Sequence, residues 1–535
     1  MSQEILETGK PLSQCVLWRI QEESFRTSGI DAWEQIPSYP TTNPFIADAY
    51  AELIVAFLLD SRDRLVAGEP VYIVELGAGT GRFGFHVLKE LDRKRRHYAA
   101  LDDITPVYVL TDIASKNVRF WEDHEAFRPY RERGLVDFAL HHPDVEREVK
   151  LRAAGTTLAP GRLANPLIAV ANYVFDAQRQ DLFRVADGGL EEVRLTISRD
   201  GSKHDPARPP SVDQLVVAES YAPAPVPYYG DPRLDSILDH YVLNLDLASV
   251  IFPIGAFDSI RNLEALAGGD LVLLASDKGF THMGYMSGHW EHRFSLHGDL
   301  CLSYMVNFHA IRRHAEEAGG SALFTSDDSL FLQTVMTLPP PPPGGRYERC
   351  RHQFEERVAR RNAINDLYDV QQLVPGAEPV EDPKVRLRRC LALVRLCNFD
   401  PIAYRTCGNE IAAALEKLLE REEGAAELAD ALLEATDRVR ENYYLVNGDD
   451  RDVLYAMGTV YCSLGKYDLC IETFRRCVDL FGEDAFSLYY IASAHEMLEA
   501  YDVALDHYER GHALDPTCEA TAAGLKRMNV QLRRV

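Results

Sequence analysis

The run Val71-Tyr72-Ile73-Val74-Glu75-Leu76, followed by Gly77-Ala78-Gly79-Thr80-Gly81-Arg82-Phe83-Gly84, limits the folds open to this chain more than any other stretch. An apolar segment of strand length that ends at an acid and breaks into alternate glycines predicts a buried strand, a tight turn and a helix over about Phe83 to Leu91. Glycine at such a turn lets the backbone take positive φ and lie against a ligand with no Cβ between them. Further strands are expected at Val107 to Thr111, ending on Asp112, at Leu135 to Leu140, and at Pro166 to Ala171, leading into Asn172-Tyr173-Val174-Phe175-Asp176. Another runs from Asp270 to Ala275. Strands alternating with helical segments imply parallel β-α-β units, whose ligands bind beyond the carboxyl ends of the strands. The glycine turn, Asp112 and Asn172 all stand at such ends.

The turn admits two cofactors. Gly79-Thr80-Gly81-Arg82-Phe83-Gly84 spells the dinucleotide fingerprint, which asks for an acid about 20 residues on at the end of the second strand. Asp102 and Asp103 stand near that spacing but precede the strand, and the acid that ends it is Asp112. Read instead as Glu75-Leu76-Gly77-Ala78-Gly79-Thr80-Gly81, the stretch resembles motif I of class I S-adenosylmethionine (SAM)-dependent methyltransferases. The resemblance implies an α/β fold, a Rossmann-like class I methyltransferase sheet, over residues 1–338, with a β-rich insertion at about 179–250. It implies SAM as cofactor, with Glu75, Gly77, Gly79, Gly81, Asp112 and Asn172 around it and Asp112 accepting both ribose hydroxyls. A carboxylate suits a vicinal diol because two acceptor oxygens meet two donors.

Other segments narrow the resemblance to methyltransferases of the MidA type. Thr42-Asn43-Pro44-Phe45-Ile46-Ala47-Asp48-Ala49-Tyr50-Ala51-Glu52 is similar to the stretch before motif I in that group, and Ala171 to Ala177 to its motif after the fourth strand. Asp277-Lys278-Gly279, Gly298-Asp299-Leu300 and Val306-Asn307-Phe308 resemble later elements in the same order. Departures fall on acids: Phe45, Tyr173 and Asn307 stand where the group has carboxylates, and mitochondrial members of the group methylate protein arginine. The acceptor side therefore lacks groups that would pair with a guanidinium.

Methyl transfer from a sulfonium needs an aligned nucleophile and exclusion of water, with a base only where the nucleophile is protonated. Asn172 could orient an amide or amine and Asp176 could act as base or acceptor; as purely structural groups they would be a helix N-cap and a partner in that helix's first turn. His282, His289, His292, His297 and His309 show no zinc-protease spacing, so no metal is expected and they read as a polar wall over a cleft.

Pro339 to Pro343, then Gly344-Gly345, predict a stiff spacer and a hinge, placing a linker at 339–345 and an all-α domain at 346–535. Within it Met457-Gly458, Tyr461, Cys470, Phe474 and Cys477 recur 34 residues later as Ile491-Ala492, His495, Ala504, Tyr508 and Gly511. Small residues where helices touch and aromatics in the neighbour's groove resemble tetratricopeptide (TPR) repeats, at 451–484 and 485–518, with a capping helix at 519–533. Two repeats bury too little alone, so the helices upstream should stack on them.

The 57 Lys and Arg against 82 Asp and Glu give a net charge of −25, which argues against nucleic acid and against an anionic membrane surface. No secretion signal or spanning segment is expected, and the ten cysteines have no CxxC, pointing to reduced, mostly buried thiols in a cytoplasmic protein. The functions in view are a SAM-dependent methyltransferase acting on a protein or peptide recruited through the TPR-like region, a SAM-binding assembly factor or scaffold without turnover, and an NAD-dependent oxidoreductase.

Overall fold

The structure, a computed structural model, describes residues 4–36, 39–199, 211–288, 294–325, 332–360, 382–421 and 425–532. The chain divides into two compact units, residues 1–366 and 367–535.

The first unit opens with strand β1 (Glu4–Pro11) and helix α1 (Val16–Ser28). Helix α2 (Pro44–Asp60) begins where the Asn43 side chain accepts from the Phe45 and Ile46 amides and Pro44 supplies a preset φ at the first helical position. It is apolar nearly all round and is a core helix. Then come β2 (Pro70–Leu76), α3 (Arg82–Arg95), β3 (Thr105–Asp112), α4 (Ser115–Asp123), β4 (Val136–Leu140) and β5 (Leu167–Asn172). Strands β6 (Asp181–Ala186), β7 (Gly189–Arg199) and β8 (Leu215–Pro223) follow, then α5 (Pro232–Asn244), β9 (Leu247–Phe252), α6 (Ile254–Leu266) and β10 (Leu271–Asp277). A hairpin of β11 (Phe294–His297) and β12 (Cys301–Tyr304) precedes α7 (Phe308–Glu317), β13 (Ser321–Phe324) and β14 (Gln333–Leu338).

Seven strands form the central sheet in the order β13-β14-β10-β5-β2-β3-β4. The five from β10 to β4 are parallel; β14 runs antiparallel to both β10 and β13. Buried on both faces, the parallel strands carry continuous apolar runs, which is why they were legible as unbroken stretches. A second sheet, β1-β7-β6-β9 with β8 on the other edge of β7, is built from strands between Asp181 and Phe252 together with the N-terminal strand.

The Pro/Gly run 339–345 does not divide the units. The helix after it, α8 (Glu348–Phe354), belongs to the first unit: Tyr347 stacks on Phe57 of α2 with ring centroids 5.8 Å apart, and the Cys350 amide donates to Asp60 at 3.0 Å. Polyproline is stiff, but here it only spaces β14 from a helix whose partners lie on α2.

In the second unit, α9 (Pro383–Leu396), α10 (Pro401–Arg421) and α11 (Ala425–Asn442) precede five helices of regular length: α12 (Arg451–Ser463), α13 (Tyr467–Phe481), α14 (Ala485–Met497), α15 (Tyr501–Leu514) and α16 (Glu519–Leu532). The α14–α15 pair repeats α12–α13 at the 34-residue period of the sequence. The small-to-large pairing is realised: a Cβ on Gly458 would meet the Phe474 ring at 2.4 Å, and Phe474 stacks on Tyr490 at 5.0 Å. Among the described residues no helix is long and apolar enough to cross a membrane.

Candidate functional site

The order of strands reverses between β2 and β5, so a crevice opens beyond their carboxyl ends. Gly77 follows β2 there and Tyr173 follows β5, and both line a cavity of about 390 Å³. Its floor continues through Asp112, Ile113 and Asn117 after β3 and His141, His142 and Asp144 after β4. The roof is the N-terminal segment: Trp18, Gln21, Glu22 and Phe25 of α1, and Trp33.

The glycine turn is tied to the end of β3. Ala78 N–H donates to Thr111 O (2.9 Å), Gly79 N–H to Asp112 Oδ2 (3.0 Å), and Trp121 Nε1 to Gly79 O (3.1 Å). Gly77, Gly79 and Gly81 all have positive φ, at 57°, 54° and 75°. At Gly79 the approach is close as well: a Cβ would fall 2.4 Å from the Trp33 ring. Asp112 also accepts from Ala114 N–H through Oδ1 at 2.8 Å. Burial raises its pKa, and these backbone donors oppose the rise.

Glu75 stands apart from the cavity wall. Its carboxyl lies under the first turn of α3, where a Cβ on Gly84 would be 2.5 Å from Oε2. Burial pushes it up to about 8, against a lowering contribution from the Tyr108 hydroxyl and with a smaller raising one from Asp112. The sequence placed Glu75 against cofactor; the fold puts its carboxyl beneath the turn, where burial raises its pKa.

The two residues expected to act on substrate are also held within the framework. Asn172 Oδ1 accepts from the Tyr50 hydroxyl (2.9 Å) and the Ser276 amide (3.2 Å), while its Nδ2 faces Thr41 O at 3.4 Å. It braces β5 against β10 and α2 and is not a helix cap. Asp176, buried, is 3.4 Å from Lys278 Nζ, which donates to Ser303 Oγ at 2.6 Å and lies 3.3 Å from His297 Nε2. Burial raises Asp176 against the pull of Lys278. Neither residue lines the cavity; Tyr173, at φ 52°, does.

The histidines separate. His297 joins Lys278 and Ser303, His309 hydrogen-bonds with the Tyr241 hydroxyl at 2.9 Å, and His282 meets Phe324 edge-on, while His289 and His292 lie outside the described residues. Among the described residues no group of three or more His, Cys, Asp or Glu is placed to hold a metal ion.

Sequence reasoning missed the roof and the His141-His142 wall. The histidines could have been found, since they directly follow the third parallel strand at the ligand edge of the sheet. Nothing local marks Trp33. His142 binds Glu22 of the roof through Nε2 and Asp144 of the floor through Nδ1 at 2.6 Å. Burial disfavours its charged form, but the hydrogen bonds to Asp144 and Glu22 outweigh it and raise the imidazole to about 9. With a folded pKa above the unfolded value of about 6.5, this contribution to stability is complete below pH 6.5 and is lost as pH rises through 9. Melting temperature is therefore expected to fall between pH 7 and 10, and His142→Gln to flatten that fall; equal slopes in the two proteins would show that the latch carries nothing.

No protein-family model matches the chain, and no curated protein matches it. Among solved structures, a COG1565 superfamily member from Burkholderia thailandensis bound to S-adenosyl-homocysteine aligns over 63% of this chain and 89% of its own, at 15% identity and a TM-score of 0.39. A native COG1565 superfamily protein from the same organism aligns over 63% and 88%, at 15% identity and 0.38. DszA carbon methyltransferase aligns over 55% of each chain, at 15% identity and 0.28. At TM-scores below 0.5 these likenesses assign nothing by themselves.

Proposed function

We propose that the first unit binds SAM in the cavity beneath α1 and transfers its methyl group. The observation that carries this is the junction of Gly77 and Asp112 in one cavity, with the acid at the end of the strand next to the glycine turn. A dinucleotide is supported less well. Asp102 and Asp103 precede β3, at the opposite end of the sheet from the cavity, and Asp103 is paired with Arg62 at 2.7 Å. The Trp33 ring also covers Gly79, where a pyrophosphate would need the bare backbone. Two buried polar atoms of cavity residues, Trp33 Nε1 and Asn117 Oδ1, have no hydrogen-bond partner among the described residues. Leaving such atoms unmet costs about 1–3 kcal/mol each, which a polar ligand would recover.

In this arrangement Asp112 takes the ribose hydroxyls, and the turn at Gly77 lies against the rest of the cofactor. Bound SAM supplies an activated methyl group. The chain's part is to align an acceptor and exclude water, which Trp18, Phe25, Trp33 and Tyr173 do as an aromatic enclosure. The helical unit, with two helix pairs at a 34-residue period, supports TPR-like recruitment of a protein or peptide acceptor.

A second reading, SAM binding without turnover in an assembly factor, is favoured by the bonding of Asn172 and Asp176 into the framework. Titration separates cofactor classes: SAM and S-adenosyl-homocysteine should raise the melting temperature and NAD should not. Stabilisation by NAD alone would overturn the proposal. Transfer of labelled methyl from SAM into protein of a cell lysate distinguishes enzyme from scaffold.

A further inference from the structure

The first unit holds a second cavity of about 390 Å³. It lies where β10 begins and β14 ends, at the amino end of the parallel strands and away from the glycine turn. Ile260 of α6, Ile311 of α7, and Leu271, Leu273 and Leu338 of the two strands give it an aliphatic wall. Arg233 of α5, Glu264 of α6 and His314 of α7 supply its polar part.

That polar part is charge-balanced. Arg233 donates to both oxygens of Glu264, at 3.3 and 3.0 Å, and the adjacent Arg261 is paired with Asp231 at 3.0 Å. His314 is buried with the Phe257 ring 5.2 Å from its own, and burial pushes it down to about 4, which leaves the imidazole neutral. A charged ligand would find no counter-charge here, so the cavity suits an uncharged one. His314 Nδ1 and Glu264 Oε1 stand 3.8 Å apart, too far to bond directly. One oxygen atom fits within hydrogen-bond distance of both. With the proton on Nδ1, the tautomer the carboxylate favours, a hydroxyl accepts from the imidazole and donates to Glu264.

We propose that this cavity binds an uncharged alcohol with an aliphatic body, its hydroxyl seated between His314 and Glu264 and its chain against Ile260, Ile311 and Leu271. Its volume falls within the range of small-molecule sites, and its mix of an apolar wall with a few convergent polar groups is theirs as well. The site stands apart from the cofactor reading, since no residue is common to the two cavities.

The probes are 1-octanol and its isomer 1-methoxyheptane, whose ether oxygen accepts a hydrogen bond but donates none. The full-length chain, labelled at the isoleucine δ1 methyls, is titrated with each and followed by NMR. Octanol should shift the Ile260 and Ile311 signals to saturation, and methoxyheptane should bind at the same place about tenfold more weakly, because the bond donated to the carboxylate is lost. Octanoate, which brings a charge, should bind more weakly than octanol. His314→Phe should weaken octanol about tenfold through loss of the imidazole N–H. Equal affinity for the two isomers, tighter binding of octanoate than of octanol, or a titration that leaves Ile260 and Ile311 unmoved would overturn the proposal. All three comparisons are made on the unsubstituted chain, so they decide the matter even if His314→Phe folds poorly.

Discussion

Asp112→Ala is expected to weaken S-adenosyl-homocysteine binding by at least 100-fold. Each hydrogen bond to a charged group contributes about 1.5–3 kcal/mol, so if Asp112 accepts both ribose hydroxyls as proposed, their loss costs about 3–6 kcal/mol on that basis, and tenfold in affinity is about 1.4 kcal/mol. The substitution also frees the Gly79 and Ala114 amides, which the carboxylate holds at 3.0 and 2.8 Å. The ligand-free protein should therefore melt lower. Calorimetric titration gives the first effect and a melt without ligand gives the second. Asp102→Ala, before β3 and exposed, should change neither. Unchanged affinity in Asp112→Ala would remove the acid from the cofactor site and with it the assignment of the cavity.

The second large effect belongs to the helical unit. Phe474 is wholly buried, fills the space left by Gly458 and stacks on Tyr490. Phe474→Ala should cost about 3–5 kcal/mol, the range for a large buried aromatic whose cavity cannot collapse. Gly458→Leu attacks the same contact from the other side, and overpacking there should cost about 1–3 kcal/mol. Both are measured as a shift of the helical component of urea unfolding followed by far-ultraviolet circular dichroism. A midpoint that does not move in Phe474→Ala would mean that the Gly458–Phe474 contact does not hold α12 to α13.

The parallel strands and the repeat period were legible because both are written in local patterns. A strand buried on both faces must be apolar throughout, and a 34-residue repeat must place small residues where Gly458 and Ala492 stand. Strand β1 was not legible: Glu4 to Pro11 has no apolar alternation of its own and pairs with β7 far along the chain. The end of the first unit was misjudged because Pro339 to Pro343 carry a strong local signal, whereas the contacts of Tyr347 and Cys350 with α2 carry none. At the site, the glycine turn and Asp112 could be read from strand ends. The placement of Asn172 could not, since its partners Tyr50, Ser276 and Thr41 come from three other segments.

Two of the chain's four tryptophans, Trp18 and Trp33, line the roof of the cavity, and a third, Trp121, donates to the carbonyl of Gly79 in the glycine turn beside it. Ultraviolet emission of the intact protein is thus concentrated on the ground the cofactor would occupy. If the cavity binds the cofactor as proposed, its roof would make the molecule an optical indicator of its own loading, with no label attached.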